Sequence, residues 1–473
     1  MPDHISVTFL GTAAGRPSPS RNVSSLAVKL DARLWVFDAG ESTQHQFMDR
    51  RCHLSMAKTE KIFITHMHAD HVNGLPGLLC TISAGEGSVH QGEQDPRIAQ
   101  SQSIPPTQIY GPSGLRLFLR TCLALTHSTL TRPYQVHELL FPDEPEESGP
   151  LHPSEQQGRN IRCDDQGFWR GVVKDERGVT VDVGPILHTI RCLGYLLVEA
   201  PRPLPIVPSL YIPHLTLPEN ASQLKAQGIS NPLTLMSTLQ SSRRSITLPN
   251  GTVLEPPGIG GRGRRILVLG DTYDATPILP LIDNLSSDLG HPNSREHADD
   301  DRLKRESLLD LVVHESTNAY LPDHDPSQSR LKKPDNATTL ESVTQLAREH
   351  GHSTPQVAGT FARLAKTERL VLNHLSVKYP DPGDDDKDKD EEDENKKVWR
   401  GMLSEIERQA EESWLGRGTD DDGLAAGAAE HKSRVCTARD FMEIEIPRRD
   451  KVTTMSGADR KGKGSGKKPN PSK

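Results

Sequence analysis

Residues 63–74 read FITHMHADHVNG, which crowds His66, His68, Asp70 and His71 at the end of the alternating run KIFIT. In extended backbone, side chains two residues apart face the same side, so His66 and His68 can grip one cation together. The chain must then turn, and Asp70 and His71 can face a second position. Nitrogen and oxygen donors without a cysteine suit zinc, with manganese as a possible substitute. One loop cannot complete two sites, so further donors must come from elsewhere. Three candidates share a context. His188 ends VGPILH, Asp271 ends RILVLGD and His374 ends RLVLNH, each at the close of an apolar run. Singly, each is an ordinary strand-end residue. Together they supply what a two-metal centre lacks. His66, His68 and His188 would hold one ion, and Asp70, His71 and His374 the other. Asp271, whose carboxylate has two oxygens, would bridge them. Ions roughly 3.5–4 Å apart can clamp both oxygens of a phosphoryl displacement.

The elements that must carry these residues are legible as periodicity. ISVTFLG, SLAVKL, LWVFDAG and KIFITH are short apolar runs closed by Gly, Asp or His, which predicts strands. GLPGLLCTI begins a buried helix, and TQIYGP followed by GLRLFLRTCLAL predicts a strand and then a helix. The strand pattern returns at TVDVGPILHTIRCLGYLLVEA, RRILVLGDT, LLDLVVHES and RLVLNHLS. A helix is expected at VWRGMLSEIERQAEESW and a last strand at DFMEIEIP. Alternating strands and helices imply an α/β layered domain spanning residues 1–450. The Pro-rich stretch 201–256, with the amphipathic piece ENASQLKAQGI, reads as an insertion projecting from that domain. The acidic run at 381–397 reads as a disordered linker inside the domain, and the basic end at 451–473 as a disordered tail. GIGGRGRR at 258–265 reads as a flexible turn.

Composition narrows the classes. The 473 residues are 34% hydrophobic and 25% charged, which suits a sizeable core carrying polar insertions. A net charge of -8 argues against whole-surface binding to nucleic acid, though not against a local basic site. The 6 cysteines are scattered, with no C-x-x-C pair, and read as reduced thiols. No run approaches the roughly 18 apolar residues of a membrane span. The N-terminus enters a strand directly and shows neither a signal nor a transit peptide, so nucleus and/or cytoplasm is the expected compartment.

The whole set of segments resembles the metallo-β-lactamase superfamily and, within it, tRNase Z. HMHADH alone is shared by the superfamily. The narrower resemblance rests on FLGTAAGRPSPSRN at 9–22, FDAGESTQHQ, HTIRCLGY at 188–195 and LGDT at 269–272. HEST at 314–317, GHST at 351–354 and LNHLSVKY at 372–379 complete it, with Ser316 where the family's HEAT motif has alanine. Order and context agree over residues 4–380 and again at 435–447.

The resemblance implies an αββα sandwich with an inserted flexible arm, here 201–256, that clamps the tRNA body. It implies two zinc ions per chain, a homodimer, and endonucleolytic removal of the 3′ trailer from precursor tRNA, leaving a 3′-hydroxyl on the tRNA and a 5′-phosphate on the trailer. Asp70 would ligate metal and take the attacking water's proton, while His352, held by Glu315, would protonate the leaving oxygen. Arg21, Asn22, Ser353 and Thr354 are the expected substrate contacts. The length and single intact motif set resemble the family's short form, enlarged by insertions. Asn231-Pro232 stands where the bacterial-type arm has Gly-Pro. The rival reading is another two-zinc hydrolase of the same fold, acting on a phosphodiester or thioester.

Overall fold

Runs that are apolar on both faces become strands only where layers cover them on both sides. The computed structural model describes residues 1–84, 104–285, 307–325, 328, 338–383, 393–416 and 434–448. In chain order its strands are β1 (Ile5–Gly11), β2 (Ser25–Leu30), β3 (Arg33–Phe37), β4 (Thr59–Phe63), β5 (Thr107–Pro112), β6 (Tyr134–Leu140), β7 (Glu155–Gln156), β8 (Asn160–Arg162) and β9 (Trp169–Lys174). They continue with β10 (Val179–Ile186), β11 (Cys192–Glu199), β12 (Ile246–Thr247), β13 (Val253–Leu254), β14 (Arg265–Leu269), β15 (Leu311–Glu315), β16 (Leu370–Asn373), β17 (Val435–Thr437) and β18 (Glu443–Glu445).

Two sheets form the body. The first has the order β18-β1-β2-β3-β4-β5-β6-β7, with β8 also on β6; the second has the order β17-β16-β15-β14-β11-β10-β9. In each, hairpin strands occupy one half and parallel strands the other: β3 to β6 in the first sheet, β14 to β17 in the second.

Side-chain alternation sets the layers. Phe63 of β4 points into a core shared by both sheets, with Trp35, Phe37 and Tyr110 from the first and Trp169, Tyr195, Val268 and Val371 from the second. Its neighbours Ile62 and Ile64 point the other way, into a layer with Val36, Ile109 and the helices Leu75–Ala84 and Leu115–Leu125. On the far side, Leu196, Leu267, Val312 and Leu370 pack against Pro355–Leu364 and Glu394–Leu415. The layers are therefore αββα, as expected. Phe63 stacks on Phe37 at 4.8 Å and on Tyr110 at 5.2 Å, with Tyr195 edge-on at 5.2 Å. Tyr195 also donates its hydroxyl to the Ile64 carbonyl at 2.6 Å, which stitches the second sheet to the point where β4 becomes the histidine loop.

Pro201–Gly261 forms a second compact unit. It holds helices Pro208–Leu215, Pro218–Ala226 and Thr234–Ser242, the hairpin β12-β13, and a small core of Tyr211, Leu215, Leu224, Leu239 and Leu254. Its base closes through the Gly260 N–H donating to the Arg202 carbonyl, so the inserted arm runs to Gly261 and not to 256. Asn231-Pro232 lies in the turn just before helix Thr234–Ser242, the Asn231 side chain accepting the Leu233 N–H.

Two further expectations change. The end of GIGGRGRR is not a free turn: Arg265 opens β14, and the buried Arg264 makes paired contacts with Glu199 at 2.7 and 2.8 Å. The acidic run over 381–397 is helical from Glu394, because the Asp393 side chain caps that helix by accepting the Asn395 N–H. Residues 384–392 and the tail 451–473 lie outside the described residues. No described helix is long and apolar enough to cross a membrane.

Candidate functional site

The strand ends named above lie on one edge of the sandwich. β3 leads to Asp38, β4 to His66, β10 to His188, β14 to Asp271, β15 ends at Glu315 and β16 leads to His374. The carboxyl ends of parallel strands are where an open α/β sheet leaves a crevice for chemistry. Asp38 and His374 both adopt left-handed backbone, with φ of 56° and 53°. Such conformations in non-glycine residues cluster at functional sites.

Two donor sets converge there. In the first, His68 Nδ1 lies 3.1 Å from both His66 Nε2 and His188 Nε2. In the second, His374 Nε2 lies 3.3 Å from His71 Nε2 and 3.2 Å from Asp70 Oδ2. Asp271 joins both, at 3.7 Å from His66, 3.3 Å from His71 and 3.4 Å from His374. Each set keeps its donor atoms within 4.8 Å of one another. All seven expected ligands are therefore brought together, in the grouping their spacing implied.

The surroundings settle which nitrogen of each ring faces inward. His188 Nδ1–H donates to the Gly351 carbonyl at 2.7 Å, and His71 Nδ1–H donates to Asp38 at 2.7 Å. The Thr65 hydroxyl gives its proton to Asp38 at 2.8 Å, so its oxygen accepts His66 Nδ1–H at 3.0 Å. Thr317 repeats the pattern, donating to Glu315 at 2.7 Å and accepting His374 Nδ1–H at 3.0 Å. In all four rings Nδ1 is engaged from outside and Nε2 faces the centre. Such orienting partners are the usual companions of metal-bound imidazole. Inward-facing imidazole nitrogens together with the Asp70 and Asp271 carboxylates make a nitrogen and oxygen donor set that fits zinc.

Electrostatics agree. Burial lowers the pKa of His66, His68 and His188, keeping them in the neutral, ligating form. His71 is the exception. Burial works against its charge, but the carboxylates of Asp271 and Asp38 overcome it and raise its pKa well above the ordinary value. The proton on its Nε2 stands where a cation would neutralise the same carboxylates. Burial opposes ionisation of Asp70 and Asp271 too, yet the adjoining histidines hold both carboxyls below the usual range.

His352 lies beside this centre, its ring 5.3 Å from that of His188 and 5.4 Å from that of His374. Burial lowers its pKa, but its 3.1 Å hydrogen bond to Glu315 and the surrounding carboxylates push it up to about 9. The expected pairing of His352 with Glu315 is present. His314 is a buried strand residue beside Phe361, its Nδ1–H donating to the Glu315 carbonyl at 2.7 Å.

The expected substrate contacts fare differently. Arg21 is buried, and its guanidinium donates to the carbonyls of Tyr379 and Ala438 and to Thr12. Ser353 is buried and donates to the Thr272 carbonyl. Thr354 is buried as the residue preceding Pro355, the first position of a helix. These three brace the site's loops and face no solvent. Asn22 alone keeps partial exposure, with its side chain donating to the Glu41 carbonyl at 3.0 Å. Asp38, Thr65 and Thr317 were not among the expected site residues. Only the strand-end position of Asp38 in LWVFDAG signals its role.

Comparison with known proteins extends the geometry. A family model described as anti-Pycsar protein Apyc1 matches residues 5–86. The bovine zinc phosphodiesterase ELAC protein 1 is 34% identical over 389 residues, covering 79% of this chain and 87% of that protein. The chain belongs to the ribonuclease Z/ELAC family. Similarity to this family reaches bacteria: ribonuclease Z of Lacticaseibacillus casei is 29% identical, over 80% of this chain and 87% of that protein. The crystal structure of human tRNase Z, short form, aligns at 26% identity with a TM-score of 0.48, covering 94% of this chain and 100% of that one. As a ribonuclease Z family member the chain is a metal-dependent hydrolase.

Proposed function

We propose that this centre hydrolyses the phosphodiester joining a tRNA to its 3′ trailer, giving a 3′-hydroxyl on the tRNA and a 5′-phosphate on the trailer. The observation that carries the reading is the complete pair of donor sets sharing Asp271, with the His352–Glu315 pair beside it, in a chain of the ribonuclease Z family. The proposal includes two zinc ions, replaceable by manganese: one held by His66, His68 and His188, one by Asp70, His71 and His374, with Asp271 between them.

Bound there, the cations supply Lewis acidity, lowering the pKa of an attacking water and neutralising charge on the phosphoryl oxygens. The protein's own groups do the rest. Asp70 is fixed by the Gly15 N–H at 2.8 Å and is kept ionised by His374, so it can accept the water's proton. The water oxygen then bonds to phosphorus. His352 is protonated at neutral pH and gives its proton to the departing 3′ oxygen as the P–O bond breaks. Glu315 holds His352 in the orientation and charge state this needs.

Asn22 is the remaining candidate for an acceptor-stem contact. Pro201–Gly261 is assigned to the tRNA body, with Lys225, Arg243 and Arg244 as its cations. A homodimer working in the nucleus and/or cytoplasm completes the proposal.

The test is cleavage-site mapping on precursor tRNA with wild-type protein and Asp70→Ala, alongside metal analysis. Cutting at the tRNA–trailer junction, abolished by chelation and by the substitution, with about two zinc ions per chain, supports it. Rapid thioester turnover with intact precursor would instead establish the rival hydrolase.

A further inference from the structure

One patch beside the centre has no part in the chemistry above. Tyr273 lies two residues beyond Asp271, half-exposed, and its N–H donates to the Leu187 carbonyl at 3.0 Å, tying it to the loop that carries His188. The Arg348 guanidinium lies over the Tyr273 ring, 5.2 Å from its centroid. Arg348 is exposed near the end of helix Leu340–Glu349, and its carbonyl accepts the Gly351 N–H just before His352. Leu187 and Ile190, on either side of His188, are 40% and 39% exposed. An aromatic ring, a flat cation and two aliphatic side chains thus lie in the segments that carry His188, Asp271 and His352. That surface chemistry suits a nucleobase, which stacks on aromatic rings and guanidinium planes without regard to its identity.

Hydrogen bonding says which base. Glu315 Oε1 accepts both His352 Nδ1–H, at 3.1 Å, and the N–H of Thr272, at 2.9 Å. Tyr273 therefore directly follows the residue that shares this carboxylate oxygen with His352, the proposed donor to the leaving 3′ oxygen. Resting on the tRNA-processing reading, we propose that Tyr273, covered by Arg348, is the stacking face for the base of the last tRNA nucleotide, the one that keeps that oxygen. A stacking face accepts any of the four bases there, as an enzyme that processes many tRNAs requires.

The test uses zinc-loaded full-length protein and precursor tRNAs carrying one abasic residue, either at the last tRNA nucleotide or at the first trailer nucleotide. Single-turnover kcat/KM is measured for wild type, Tyr273→Phe, Tyr273→Ala and Arg348→Ala. With intact precursor, Tyr273→Ala loses roughly tenfold, the scale of one stacked base, while Tyr273→Phe stays near wild type. Removing the last tRNA base costs the wild type a similar factor and costs Tyr273→Ala little more. Arg348→Ala, at an exposed helix end, shows the same non-additivity with a smaller loss. A 2-aminopurine at that position is quenched on binding wild-type protein stripped of metal, and is not quenched by Tyr273→Ala. Penalties that multiply, or non-additivity seen only at the trailer nucleotide, would overturn the proposal while cleavage of intact precursor stands. Failure of the wild type to cut intact precursor would overturn the tRNA reading itself, and the stacking face with it.

Discussion

Glu315→Gln isolates the charge that sets the proton donor. Glu315 is buried and accepts from His352, from the Thr272 N–H and from Thr317. Its carboxylate opposes the effect of burial on His352 and, with neighbouring carboxylates, brings that imidazole up to about 9. The neutral amide keeps the shape and removes the charge, so His352 falls back toward its ordinary value of about 6.5 or below. The sign follows from its role. A general acid works while protonated, so wild-type activity holds below the folded pKa and is lost as pH rises through about 9. At pH 8 the protonated fraction drops from about nine tenths to ~3 %, a loss of roughly 30-fold in kcat. KM for precursor tRNA changes little, because Glu315 is buried. The assay is single-turnover cleavage from pH 6 to 10 with zinc content measured on the same samples, since Thr317 links Glu315 to His374. An alkaline limb that stays in place, with zinc retained, would refute the assignment of His352 as the acid.

Three further outcomes follow from the same geometry. Chelation leaves the clustered histidines and carboxylates without their cations, so thermal denaturation should show Tm falling by several degrees and recovering with zinc. Asp38→Asn removes the acceptor that fixes His71 and Thr65, and with it the tautomer of His66; zinc affinity by competition titration should drop about 10–100-fold. Gly351→Ala forces a side chain where φ is 84° and places its Cβ 2.6 Å from His188 Nδ1. It should cost about 1–3 kcal/mol in urea unfolding and displace His188, with the first ion lost before the second on dialysis.

The donor sets were legible because His188, Asp271 and His374 each close an apolar run, and a polar donor at a strand end has few bland explanations once several coincide. The layers were legible for a related reason: Phe63 and its neighbours Ile62 and Ile64 are all apolar, which only a strand covered on both faces can use. The roles of Asp38, Thr65 and Thr317 were not legible. A hydroxyl that passes a proton to a carboxylate and receives one from an imidazole has no spacing, since its partners meet only in three dimensions. Arg21, Ser353 and Thr354 misled for the opposite reason. Polar residues beside a motif suggest a surface, whereas here the fold spends them on buried carbonyls and a helix start. The 37 residues separating Glu315 from His352 leave their pairing to resemblance, because no local pattern spans that gap.

Each donor set draws on both sheets: His66 and His68 with His188, and Asp70 and His71 with His374. Neither sheet therefore supplies a whole donor set by itself. During synthesis the loop from His66 to His71 emerges some three hundred residues before His374, and throughout that interval the second donor set lacks a member. The two donor sets thus become available at different stages, the first once residue 271 is made and the second only after residue 374. A translation product truncated before residue 374 would lack a member of the second donor set while keeping the first.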